Sequence, residues 1–143
     1  MRKALWCLVF VAACHSAPAG NVLTGADSPR SAVERFLAAA RAQDMQALSV
    51  TWGNDKGPQR DQLERQELEK RELIMIQLLR HDQSKISEPK RIDGGKMLLT
   101  VELKQGKRSA SPTFTTVMGP SSRWFVADLD LLMLQNKGFG GKP

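Results

Sequence analysis

The segment SPRSAVERFLAAARAQD, residues 28–44, carries the clearest helix signal in the chain. Ser28 can serve as an N-cap with Pro29 in the first helical position, and Ser31 with Glu34 fits a capping box. The apolar residues that follow recur at i, i+3, i+4 and i+7; they are Val33, Phe36, Leu37 and Ala40. This spacing predicts an amphipathic helix with one face in the core.

Two further helices are expected before the pattern changes. A short one begins at Asp44, and after the break at residues 53–58 a longer one covers residues 59–83. Its first half alternates in charge, with the i,i+4 pairs Arg60–Glu64, Asp61–Arg65 and Glu67–Arg71. Its second half, residues 73–79, is apolar nearly all round and should be buried, either as helix or as a short buried strand.

From residue 85 onward the apolar residues alternate as in strands. Residues 85–93 and 96–104 flank Gly94-Gly95, a hairpin signal, and residues 113–118 and 123–132 form two more strands. In the last strand, the alternation predicts Phe125 facing inward, and Trp124, Val126 and Asp128 facing outward. Helices followed by an antiparallel meander indicate an α+β domain, with helices on one face of a sheet of about four strands.

The N-terminus reads as a secretory signal. Arg2 and Lys3 precede an apolar run at residues 4–13 that is too short to span a bilayer. Val11-Ala12-Ala13-Cys14 resembles the lipobox of bacterial lipoproteins, which implies a diacylglycerol on Cys14 and cleavage before it. The alternative is an ordinary signal cut after Ala17 or Ala19. The absence of an aspartate after Cys14 favours the outer membrane among such lipoproteins.

This interpretation divides the chain into four parts. Residues 1–13 are a signal peptide, 14–27 a lipid-anchored flexible tether, 28–135 a single α+β domain and 136–143 a disordered glycine-rich tail. The domain would then lie in the cell envelope, facing the periplasm or the exterior. Removal of Arg2 and Lys3 reduces the formal charge from +6 to +4, which with the absence of nucleic-acid motifs argues against a nucleic-acid partner.

The opening helix and the closing strand carry a second resemblance. Residues 32–44 and the strand RWFVADL at residues 123–129 are similar to the start and the end of nuclear transport factor 2-like domains. The resemblance implies a curved, cone-like sheet wrapped around helices, often with an internal pocket and often dimeric. The pocket would be lined by Phe36, Trp52 and Leu99.

Catalytic signals are scarce. The chain has no tyrosine, which the enzymes of that superfamily commonly use, and His81 is expected to cap a helix end. No cofactor motif, metal-ligand spacing or nucleophile motif occurs. We therefore expect no catalytic residues, metal or cofactor, and an isomerase-like or dehydratase-like enzyme is the least favoured hypothesis.

Two binding functions remain. In the first, the domain is a non-catalytic protein-interaction module that docks a second copy or another envelope protein through Trp124, Val126 and Asp128. In the second, it holds a small apolar ligand in the pocket of Phe36, Trp52 and Leu99. Exposure of Trp124 and Val126 would favour the first, and a sealed cavity the second.

Overall fold

The structure is a computed structural model that describes residues 23–141. The predicted signal peptide, Cys14 and the predicted tether up to residue 22 lie outside the described residues. In chain order the helices and strands are α1 Pro29–Ala42, α2 Met45–Thr51, β1 Gly53–Asn54, β2 Gly57–Pro58, α3 Arg65–Leu78, β3 Gln83–Ile86, β4 Lys90–Arg91, β5 Met97–Gln105, β6 Arg108–Ala110, β7 Thr113–Met118, β8 Trp124–Leu129 and α4 Leu131–Asn136. This order confirms an α+β chain. None of the helices within 23–141 has the length and apolar character that a bilayer crossing requires.

The first two helices begin where the sequence predicts. The Ser28 hydroxyl accepts a hydrogen bond from the Ser31 amide at 3.1 Å, so of the two start signals Ser28 provides the cap. α1 ends at Gln43, whose φ of 56° is left-handed, and the Asp44 carboxylate then caps α2 by accepting from the Ala47 amide at 3.0 Å. The two capped helices therefore follow each other with only two residues between them.

α3 is shorter than predicted. Gln59–Asp61 forms a separate 3-10 turn, and the α-helix begins only at Arg65. The ion pairs Arg60–Glu64 and Asp61–Arg65 therefore do not form, whereas Glu67 and Arg71 pair at 2.6 Å. Residues 73–78 are helical, so the alternative of a buried strand there is wrong.

The sheet has six strands rather than about four. Its main path is β3-β5-β7-β8, all antiparallel, and β4 and β6 also pair with β5. The chain turns at the predicted glycines, because Gly94 and Gly95 have φ values of 75° and 72°, which glycine adopts without strain. The connection is longer than the predicted two residues, since Asp93–Gly95 forms a 3-10 turn. The inward face of β5 presents Leu99, Val101 and Leu103, each fully buried.

The core lies between this sheet and the helices. At its centre the Phe36 ring of α1 meets the Phe114 ring of β7 edge to face, with centroids 6.1 Å apart and planes at 79°. Edge-to-face contact is a favoured geometry for buried aromatic pairs. The predicted role of the α1 stripe in core packing is thus confirmed.

The register predicted for β8 is wrong. Val126 is fully buried in the core and Trp124 packs against it, while Phe125 is buried on the opposite face among Gly25, Gly53 and Gly119. Further along, the pairing with β7 shifts between Thr115 and Thr116, where a bulge leaves one extra residue in β8. A prediction from alternation assumes that only one face of the strand is buried. Both faces of β8 are covered, so alternation does not show which face points to the core.

Both predicted ends of the domain are also wrong. Near the N-terminus, the Gly25 amide donates to the Val50 carbonyl at 2.6 Å, so the last residues of the predicted tether belong to the folded unit. Near the C-terminus, Phe139 is buried and its amide donates to the Leu134 carbonyl at 3.0 Å. Residues 136–141 are therefore packed on the domain rather than disordered, and 142–143 lie outside the described residues.

Candidate functional site

The three predicted pocket residues are buried, but they do not line a common cavity. Phe36 and Leu99 are fully buried and Trp52 is 8% exposed, and all three belong to one core cluster. Phe36 is in contact with the Phe114 ring, so its space is filled. Of the three, Trp52 borders an open depression at the surface, and the lining of that depression contains neither Phe36 nor Leu99.

The depression beside Trp52 has a volume of about 320 Å³ and lies between α3, β8 and the start of α4. Its lining is mainly apolar, with one basic and one acidic side chain; the residues are Trp52, Gln59, Arg71, Ile74, Met75, Ala127, Asp128, Leu129 and Leu131. Pockets for small molecules usually combine an apolar lining with a few polar groups. This depression is therefore the closest observed counterpart of the predicted pocket.

The predicted interface residues do not form one exposed patch. Val126 is fully buried and Trp124 is half-buried against the core, so neither presents a free apolar surface. Asp128 is exposed, and its carboxylate accepts a hydrogen bond from the Leu129 amide at 2.9 Å. The prediction of an interface centred on Trp124 and Val126 is wrong, because these side chains face inward.

An apolar ridge on α3 was missed by the sequence analysis. Leu73 is 57% exposed and Ile74 is 42% exposed, although residues 73–79 were predicted to be buried. We call these two residues the α3 ridge. Consecutive residues on a helix are about 100° apart, so a continuous apolar run cannot direct all its side chains to one face. The helical geometry of this run was therefore the signal from which exposed apolar residues could have been predicted.

Surface depressions flank the α3 ridge on both sides. Leu73 borders two of them, shared with α2 and with the C-terminal glycines, and Ile74 borders the Trp52 depression and another beside α4. The ridge thus stands between grooves rather than on a flat surface.

A cleft between α2, the Gln59–Asp61 turn and α3 contains the most unusual side chain of the described region. The cleft measures about 610 Å³, and Glu72, which lines it, is only 2% exposed. Oε1 of Glu72 is buried without a hydrogen-bond partner. Burial, with a smaller contribution from the neighbouring Glu69, raises the pKa of Glu72 to about 7.

The other charged groups that line this cleft, and the Ser49 hydroxyl, are already engaged. The Arg65 guanidinium donates to Glu69 at 2.8 Å, and Arg60 lies 3.6 Å from the Asp61 carboxylate. The Ser49 hydroxyl donates to the Gln46 carbonyl at 2.8 Å. Glu72 therefore remains as the buried group of the cleft that requires a donor.

His81 is buried beside the end of α3. Its Nδ1 lies 2.7 Å from the Leu79 carbonyl oxygen, consistent with an N–H donated to the end of the helix, as the sequence predicts. Across residues 23–141, no three histidine, cysteine or acidic side chains are grouped as a metal site would require.

Comparison with known proteins does not add a family to this description. No family model, curated protein or solved structure matches the chain.

Proposed function

We propose that the protein is a lipid-anchored lipoprotein of the cell envelope, whose folded domain is a non-catalytic protein-interaction module with the α3 ridge as its docking surface. The lipobox-like sequence at Val11 to Cys14 supports the anchor. The exposure of Leu73 and Ile74 between flanking grooves carries the docking part of the proposal. The order of helices and strands is compatible with a nuclear transport factor 2-like domain. We therefore include in the proposal the cone-like sheet that such domains have.

The surroundings of the α3 ridge suit a protein partner. Charged side chains precede the ridge on the same helix, including the Arg65–Glu69 and Glu67–Arg71 pairs. An apolar centre with a polar, charged rim is the usual composition of a protein interface. The grooves on either side can accept side chains of the partner, which a flat apolar patch cannot.

The test is photo-crosslinking in intact cells from a photoreactive residue placed at Gln77, which is exposed one turn after the ridge. The protein should give a specific adduct with an envelope protein or with a second copy, and the mass of the adduct distinguishes the two. Leu73→Ser combined with Ile74→Ser should abolish the adduct. Met118→Ser, at an exposed apolar residue on β7, is the matched control and should retain it. Equal adduct in the double variant would exclude the ridge as the docking surface.

The second candidate function, binding of a small apolar ligand, is favoured by the apolar lining of the Trp52 depression. Ala127 is half-buried at its edge, so Ala127→Leu should partly fill it. If the depression holds a ligand, native mass spectrometry of the protein purified from membranes should detect a bound small molecule that this variant loses. A spectrum with only the bare protein mass would argue against this function.

A further inference from the structure

A buried carboxylate oxygen without a donor is costly. Taking a carboxylate out of water is unfavourable unless a positive charge or hydrogen bonds replace the lost hydration. Glu72 is 2% exposed, its Oε1 has no partner among the described residues, and it lies in an open cleft of about 610 Å³. The Glu72 carboxylate is therefore a buried acceptor in the wall of this cleft.

We propose that the cleft between α2 and α3 binds a ligand with a primary ammonium group on an unbranched aliphatic chain, and that the Glu72 carboxylate accepts the hydrogen bonds of that ammonium. A free alkyl amine and the side chain of a lysine share this chemistry. The site shares Leu73 with the α3 ridge, but its acceptor, Glu72, does not belong to the ridge.

The charges of the cleft agree with a cationic head group. The charged side chains that line it are Glu69 and Arg65 of α3 and Arg60 of the adjoining turn, and α2 contributes only uncharged side chains. Arg65 is 88% exposed and bound to Glu69, and Arg60 faces Asp61, so each guanidinium already has its own carboxylate. Ionised Glu72 is then the negative charge without a counter-ion.

The walls of the cleft agree with an aliphatic stem. Met45, Leu68 and Leu73 line it alongside the polar groups. These side chains can cover the methylene groups of the ligand, whose burial away from water is favourable. A compact ammonium also suits a single unpaired oxygen better than a guanidinium, whose planar fork is matched to both oxygens of a carboxylate.

The proposed site should respond to pH. An ammonium requires the ionised carboxylate, and the pKa of Glu72 is raised to about 7. The ionised fraction is then about ten percent at pH 6 and about ninety percent at pH 8, and the apparent affinity scales with that fraction. Binding should therefore be about tenfold weaker at pH 6 than at pH 8.

The experiment is isothermal titration calorimetry on the protein purified from membranes in a non-ionic detergent. The probes are pentylamine, Nα-acetyl-lysine methylamide, and pentan-1-ol, which has the same stem without the charge. We expect the two amines to bind and the alcohol not to bind. The amine that binds more tightly shows whether the natural ligand is a free alkyl amine or a lysine side chain. Glu72→Gln should abolish binding, whereas Glu34→Gln on α1, an exposed carboxylate outside the cleft, should not alter it.

Three results would overturn the proposal: equal binding of pentylamine and pentan-1-ol, tighter binding at pH 6 than at pH 8, or full binding by Glu72→Gln. The pH dependence is measured on the unmodified protein, so it tests the site even if Glu72→Gln folds poorly. Because Glu72→Gln leaves both ridge residues in place, failure here is distinguishable from failure of the crosslinking experiment at Gln77.

Discussion

Ala26 and Trp124 exchange two backbone hydrogen bonds, each 2.8 Å long. This bridge occupies the edge of β8 opposite β7. On the same edge, Val126 of β8, two residues after Trp124, forms a second bridge with Trp52. An exposed strand edge is a template for pairing with another chain, and these bridges occupy the first half of the β8 edge. The Trp124 and Val126 side chains also face the core, and the proposed docking surface lies on α3 instead.

Arg123 should hold the N-terminal segment on the domain. Its side chain is 15% exposed and donates to the Thr24 and Gly25 carbonyls at 3.0 and 3.1 Å, and it also pairs with Asp27. Arg123→Leu should lower the free energy of unfolding by about 1.5–3 kcal/mol, the usual value for hydrogen bonds to a charged group. Urea unfolding measures this loss, and hydrogen exchange at the Ala26 amide should accelerate. Arg91→Leu, at an exposed arginine, is the control, and an equal loss there would contradict the assignment.

Glu72 should make the domain less stable as the pH rises. Its folded pKa of about 7 lies above the ordinary value of 4.5, so the folded state holds the proton more tightly than the unfolded state. The contribution of this group is therefore fully present below pH 4.5 and is lost as the pH rises through 7, by on the order of 3 kcal/mol at most.

Glu72→Gln should remove this part of the pH dependence. Relative to the unmodified protein, the variant should gain stability between pH 4.5 and pH 8, because a neutral amide carries no charge to desolvate. Urea unfolding at pH 4.5, 6 and 8 provides the comparison, with Glu34→Gln as the control. A constant stability difference at all three values would show that Glu72 does not titrate as described.

Gly53 should be intolerant of any side chain. A Cβ there would lie 2.7 Å from Cδ1 of Phe125 and would also clash with the Gly57 carbonyl oxygen. Because one of these neighbours is backbone, Gly53→Ala should cost about 1–3 kcal/mol, as overpacking typically does. The midpoint of thermal unfolding measures this cost. Gly141→Ala is the control, since the nearest atom lies 3.4 Å away and its φ is not left-handed, and it should leave the midpoint unchanged.

Cys14 should be the point of membrane attachment. It lies outside the described residues, and the prediction depends on the apolar run that ends at this cysteine. Cys14→Ser should release the protein from the membrane fraction or leave the signal uncleaved, because a serine cannot accept the thioether-linked lipid. Fractionation and mass spectrometry of the N-terminus measure both. Normal cleavage with unchanged membrane association would contradict the prediction.

Local chemistry was sufficient to predict the first two helices and the hairpin. Ser28 and Asp44 cap helices through their own side chains, and Gly94-Gly95 supplies left-handed residues where a turn needs them. These features depend on neighbours only a few residues away in the chain, so they can be recognised in the sequence. The predicted start of α3 at residue 59 was wrong. The charges of residues 59–64 have helical spacing, but the tight β1–β2 turn and the 3-10 turn that follows it delay the helix until Arg65.

The sequence by itself determined the α+β class, the buried face of α1, and the expectation of a lipid anchor, because each depends on residue type and spacing along the chain. Only the tertiary structure decided which sides of β8 are buried, since three glycines from separate segments of the chain bring backbone close enough to cover Phe125. It likewise decided which residues of the apolar run in α3 remain exposed, and that Glu72 is buried. The burial of Glu72 follows from where α2 packs on α3, and a contact between distant segments leaves no signal in the sequence of either one.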